Sequence, residues 1–155
     1  MRNRLTNAKK QLTVALHETA SFDNKASVTI KVHCQSSLKA IDNDIAKTEK
    51  AMEKVIASDE QLSRLFEIIT SVKGIGKVTA TEMIITTNEF KNINDPKKFA
   101  CYSGIAPFEH ISGSSVKGKS RVSHKANKAM KTLLHMAAIT AVNYNIDLKS
   151  YYQKK

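Results

Sequence analysis

Ser112 stands before Gly113 in the stretch PFEHISGSSVKGKSRVSHK, residues 107–125, with His110 and His124 close by in sequence. A serine hydroxyl becomes a nucleophile when a base takes its proton, or when fixed positive charge stabilises the alkoxide and the transition state. Lys117, Lys119, Arg121, Lys125 and Lys128 supply such charge for attack on a phosphodiester. Ser-Gly is also common in plain loops, so spacing alone is a weak signal for a nucleophile and composition alone favours a solvated linker. Ser114 and Ser115 are weaker candidates for the same role.

The charge of the chain bears on that choice. The 155 residues carry a net +11, and they carry it unevenly. Residues 1–70 hold 11 Lys/Arg against 9 Asp/Glu, whereas residues 71–155 hold 14 against 5. No acid occurs from His110 to Ile146, and Lys117, Lys119, Arg121, Lys125, Lys128 and Lys131 all fall in that span. So local a surplus points to a polyanion, with nucleic acid ahead of an anionic membrane surface. The acids of this half, Glu82, Glu89, Asp95, Glu109 and Asp147, are scattered, whereas two-metal phosphoryl chemistry needs carboxylates that converge. Cys34 and Cys101 have no partners at metal-ligand spacing, so no zinc site or disulfide framework is expected, and a reducing cytoplasm fits. The start MRNRLTNAKKQL lacks the apolar run of a signal peptide, and no run is long enough to span a membrane.

The elements that position these residues are expected to be helices. Five Gly and two Pro are few, and Ala, Lys, Leu and Ile are abundant. Leu5 to about Thr19 reads as an amphipathic helix with a basic start, SFDNKAS as a break, and Ser27 as the cap of a second helix over 28–56. In that second helix Leu38, Ile41, Ile45, Thr48, Met52 and Val55 follow alternating steps of three and four, a coiled-coil seam. Two packings satisfy it: an intramolecular hairpin with the first helix, or a coiled coil with another subunit. Ser58, with Gln61 three residues on, is expected to cap a helix whose stripe is Leu62, Leu65, Phe66, Ile69 and Val72.

Lys73-Gly74-Ile75-Gly76-Lys77 then separates two apolar helices. This is a helix-hairpin-helix pattern, in which glycines let the backbone turn sharply and bring N–H groups to a phosphate, with Ile75 plugged into the core. The plain alternative is a tight helix–helix turn. Asp95-Pro96 starts a short helix that ends at Gly104. A long last helix carries Met130, Leu133, Leu134, Ala137, Ala138 and Ala141 on a small-residue face. The expected fold is all-α: a helical hairpin or coiled-coil part over 1–57, then a compact helical domain over 58–155 that contains the helix-hairpin-helix-like motif.

The segments SVKGIGKVTATEMI, KKFACYSGIAPFEHISGS and KGKSRVSHKANKAMKTLLHMAA, in this order, resemble the C-terminal transposase domain of the insertion-sequence "one-ten" family. Those are serine-type DEDD transposases whose members work with a bridge RNA. The resemblance runs from about Leu65 to Tyr152. Lys73 departs from the family's usual Pro, Ala126 from its Gly, and Met130-Lys131 from its Leu-Arg. The resemblance implies that Ser112 is the recombination nucleophile, and the glycine hairpin and basic loop make Lys73, Gly74, Gly76, Lys77, Lys117, Lys119, Arg121, Lys125 and Lys128 the expected DNA-binding residues. It further implies an upstream nuclease domain, absent from these residues, which would bring the acids and Mg2+; no cofactor is expected here. Guide RNA and a homo-oligomer through the N-terminal helices are the other expected partners, with no membrane. The 155 residues alone are then expected to be inactive in strand exchange. The alternative is a helix-hairpin-helix module that binds nucleic acid without catalysis.

Overall fold

A computed structural model describes the backbone of residues 1–112 and 116–154, and the side chains of residues 1–107 and 121–154. The chain divides into two compact units, Met1–Ser58 and Asp59–Lys155.

In the first unit, α1 (Arg2–Phe22) and α2 (Asn24–Ser58) form an antiparallel hairpin. Its direction follows from the cross-links. Arg2 Nε donates to Glu49 Oε1 at 2.6 Å, Lys9 Nζ to Asp42 Oδ1 at 2.6 Å, and Ser27 Oγ to the Leu16 carbonyl at 3.3 Å. Leu38, Ile41, Ile45, Thr48 and Met52 are half-buried, so the seam is satisfied within the chain, whereas Val55 lies exposed beyond α1. The expected break shrinks to one residue: Asp23 Oδ1 accepts from Lys25 N at 2.9 Å and from Ala26 N at 3.3 Å. Asp23, not Ser27, therefore caps α2. Ser27 is buried inside the helix, where its small side chain lets the two helices approach.

The second unit begins with a similar correction. α2 runs on to Ser58, whose hydroxyl donates back to the Val55 carbonyl, so the cap of α3 (Glu60–Thr70) is Asp59, accepting from Leu62 N at 3.0 Å. α3 and α4 (Lys77–Thr87) pack together around Ile69, Ala80 and Ile84, with Leu62, Leu65, Phe66, Ile75, Met83 and Phe90 closing over them. Ile75 thus does plug the turn into the core as expected, but Val72 is outside it and exposed.

After α4 the backbone makes a left-handed turn through Asn88, Glu89 and Phe90, with φ of 50°, 57° and 62°. Left-handed backbone costs roughly 1–2 kcal/mol per non-glycine residue, so something must hold three in a row. Thr87 does: its fully buried hydroxyl donates to the Met83 carbonyl at 2.7 Å and accepts from Phe90 N at 3.0 Å. Glu89 N also donates to the Ile84 carbonyl at 2.9 Å, and the Phe90 ring packs on the core.

Asp95 then caps α5 (Pro96–Tyr102), accepting from Lys97 N at 2.7 Å and Lys98 N at 3.0 Å. Gly104 ends the run at φ +69°, with Ile105 N donating to the Ala100 carbonyl at 2.9 Å. Next come two strands, β1 (Phe108–Ser112) and β2 (Val116–Arg121), and then α6 (Lys128–Tyr144) and α7 (Ile146–Gln153). All other regular elements among the described residues are helical, so the all-α class holds with this antiparallel hairpin as its exception. The hairpin replaces the expected loop over 107–125. Its arms carry Phe108, Ile111 and Val116, types that favour strands, and Ser-Gly lies between them. Composition hid that pattern. On α6, Met130 and Ala137 are buried and Leu133, Leu134 and Ala141 half-buried, while Ala138 faces solvent.

Candidate nucleic-acid interface

The expected site residues fall into two groups along α6. The first comprises Lys73, Gly74, Gly76 and Lys77 in the α3–α4 turn. Gly74 has φ +100°, and a Cβ there would lie 2.4 Å from the Ala137 carbonyl oxygen and 2.9 Å from Ala141 N. Gly74 is therefore required by packing: its bare backbone lies against the small-residue face of α6. Gly76 is different. It has φ −89° and nothing within 4 Å of a Cβ, and it caps α4 without any side-chain hydrogen bond. Of the two glycines, Gly76 has the backbone open to a ligand.

The second group surrounds the start of α6. Asn127 caps that helix, its Oδ1 accepting from Met130 N at 3.0 Å, and its own N–H donates to the Tyr102 carbonyl at 2.9 Å. This cap exists without the glycine that the family pattern places at Ala126. Ala126 itself is used for contact, since its Cβ sits 2.7 Å from where a Cβ of Gly104 would be. Lys125 and Lys128 flank the cap and are exposed, as is Arg121 at the root of β2. Arg121, Lys125, Lys128 and Lys131 make no ion pair among the described residues. Cations in the first turn of a helix oppose its dipole, so their position is not explained by helix stability.

Ser112 is the last residue of β1, at the far end of the hairpin from α6. Ser112 stands opposite Val116, Ile111 opposite Lys117, His110 opposite Gly118 and Phe108 opposite Arg121, with an irregularity between Phe108 and His110. Four strand steps separate Ser112 from the root, on the order of 13 Å. Lys117 and Lys119 both lie on β2. The side chains of Ser112, Lys117 and Lys119, and the whole of Gly113, Ser114 and Ser115, lie outside the described residues.

The two groups are thus separate. Gly74 meets α6 at Ala137–Ala141, nine to thirteen residues beyond Lys128. At 1.5 Å per residue that is roughly 14–20 Å. The sequence pattern did not reveal this spacing, nor the part played by Tyr102 and Asn127 in joining α5 to α6. Among the described residues no three of His, Cys, Asp and Glu gather closely enough to hold a metal ion, and no helix is long and apolar enough to cross a membrane.

Residues 66–153, which run from α3 through the glycine turn and the two strands into α7, match the transposase IS116/IS110/IS902 family. The chain belongs to that family. Relatives of this transposase-family chain include the pilin gene-inverting protein of Moraxella bovis, 22% identical over 113 residues, covering 73% of this chain and 35% of the relative. An insertion element IS110 43.6 kDa protein of Streptomyces coelicolor is 24% identical over 141 residues, covering 86% and 35%. A probable family 20 transposase of Pseudomonas aeruginosa is 22% identical over 127 residues, covering 79% and 36%. The chain spans about a third of the length of these relatives.

Proposed function

We propose that this transposase-family chain binds DNA and supplies Ser112 as the nucleophile for strand exchange in a longer enzyme. The acid-free basic run from His110 to Ile146 carries the reading, because it combines the serine at the end of β1, the whole of β2 and the exposed lysines around the α6 cap. In the proposed step Ser112 Oγ attacks phosphorus, loses its proton to a carboxylate of a nuclease domain elsewhere in the enzyme, and forms a phosphoserine ester. The phosphorus–O3′ bond breaks, and the proton ends on the 3′ hydroxyl. Attack by another strand's 3′ hydroxyl reverses the step and joins new ends. Energy is conserved in the ester, which suits recombination. Mg2+ would belong with the acids of the nuclease domain.

Two relatives are named for inverting a pilin gene, and the proposed strand exchange is compatible with a DNA rearrangement of that sort. A guide RNA and assembly of copies through α1 and α2 complete the proposal; exposed Phe22, Val28 and Val32 on the hairpin support the second. The test is strand exchange by the complete enzyme with its RNA and DNA. Ser112→Ala should abolish covalent protein–DNA product, and exchange at the wild-type rate would refute the assignment.

A second reading, nucleic-acid binding without catalysis, is favoured by the open N-terminus of α4, where the cap Gly76 brings no side chain. It predicts salt-dependent binding that is indifferent to Ser112.

A further inference from the structure

We propose that Tyr102 is a base-stacking residue, which receives an unpaired nucleotide where the end of α5 meets the cap of α6. The inference rests on the nucleic-acid reading above and adds to it the form of the ligand: single-stranded rather than duplex.

Tyr102 stands on a fixed mount. Tyr102 is 43% exposed, whereas its neighbour Ser103 is fully buried. The turn that follows is fixed on every side. Tyr102's carbonyl accepts from Asn127 N at 2.9 Å, Ser103 N donates to the Phe99 carbonyl at 2.9 Å, and Ile105 N and Ala106 N both donate to the Ala100 carbonyl. Gly104 leaves no room for a Cβ between Ala126 and Val122. The aromatic residue is therefore carried on a rigid backbone. The anchor point of the ring is thus fixed, so stacking of a base requires no ordering of the backbone beneath it.

The surroundings of that mount are basic. The Asn127 N–H that holds Tyr102 belongs to a cap flanked by exposed Lys125 and Lys128, and Lys131 Cδ comes within 3.8 Å of the Gly104 Cβ position. Arg121 leaves the hairpin just before this cap. These cations have no ion pair among the described residues and no acid anywhere between His110 and Ile146. A basic surface with an aromatic face is the combination that binds single strands, the cations following the phosphates while a base covers the ring. Bases in a duplex are already stacked on each other, so the ring gains only when a base is unpaired. Strand exchange frees such bases beside the cut.

The experiment is an anisotropy titration of the 155-residue chain with a short labelled single strand and with the duplex of the same sequence, each at several salt concentrations. Tyr102→Leu keeps bulk and apolar character but removes the planar face. It should weaken single-strand binding on the order of 10-fold, leave the salt slope unchanged, and leave duplex binding unchanged. Tyr102→Phe should bind as wild type, as should Tyr152→Leu, an exposed tyrosine on α7. Wild-type binding by Tyr102→Leu overturns the proposal, as does an equal loss in Tyr102→Phe or an equal loss on duplex. Photocrosslinking of wild-type protein to an iodouracil-bearing single strand gives an independent reading. The adduct should map to the peptide containing Tyr102, and adducts confined elsewhere overturn the proposal. If the wild-type chain shows no salt-dependent binding to either form, the nucleic-acid reading itself falls; normal binding that ignores Tyr102 removes the stacking role alone.

Discussion

Gly74 and Gly76 look equivalent in the sequence, and replacing each by alanine separates two roles. At Gly74 a Cβ would lie 2.4 Å from the Ala137 carbonyl oxygen and 2.9 Å from Ala141 N. Both are backbone atoms of α6, so no rotamer change can clear them. Overpacking of this kind costs about 1–3 kcal/mol. The φ of +100° adds strain on the order of 1–3 kcal/mol for any side chain. Gly74→Ala should therefore lose roughly 2–6 kcal/mol. For a unit of about 100 residues each kcal/mol lowers the melting point by roughly 4–8 °C, so a fall of about 10 °C or more is expected. At Gly76 the new methyl meets nothing. Alanine caps a helix less well than glycine by several tenths of a kcal/mol, but it also restricts the unfolded chain by about 0.4–1 kcal/mol. The two nearly cancel, and the melting point should move by less than about 4 °C. The assay is thermal unfolding of the whole chain followed by circular dichroism. Equal melting points for the two variants would refute the division of labour, whether both fell or neither did. If Gly76 faces nucleic acid, its alanine variant should bind more weakly while remaining folded, as measured by anisotropy.

Other outcomes follow from individual contacts. Thr87→Val removes the hydroxyl that holds the left-handed turn and leaves Phe90 N without its partner; a loss of about 1–3 kcal/mol is expected in denaturant titration. Asn127→Ala removes the cap of α6 and should cost about 1 kcal/mol, whereas Asn127→Asp should retain most of it. Lys125→Ala with Lys128→Ala should leave stability unchanged and reduce the slope of log affinity against log salt by up to about 1.8 on duplex DNA, if each lysine meets one phosphate. An unchanged slope would place the phosphates elsewhere.

Much of the helical framework was legible. Asp95-Pro96 announced α5, the seam from Leu38 to Met52 announced a paired helix, and Ile75 was placed correctly between its glycines, because capping and periodicity are local properties. The two misplaced caps, Ser27 and Ser58, failed for one reason: an aspartate nearby accepted the N–H groups instead. The β-hairpin was missed because its Ser, Gly and Lys content resembles that of a loop, while strand pairing depends on a partner segment.

By itself the sequence determined the charge division, the order of motifs and the identity of the residues available for chemistry, since these are fixed by covalent order. Only the tertiary structure decided what each glycine is for. Gly74 must be bare because α6, some sixty residues later, lies against it, whereas Gly76 faces open space. It also decided that the glycine turn and the basic cap stand at different levels of α6, and that Asn127 fixes the end of α5. Those facts arise from long-range packing, in which the cost of a single Cβ depends on backbone atoms far away in the chain.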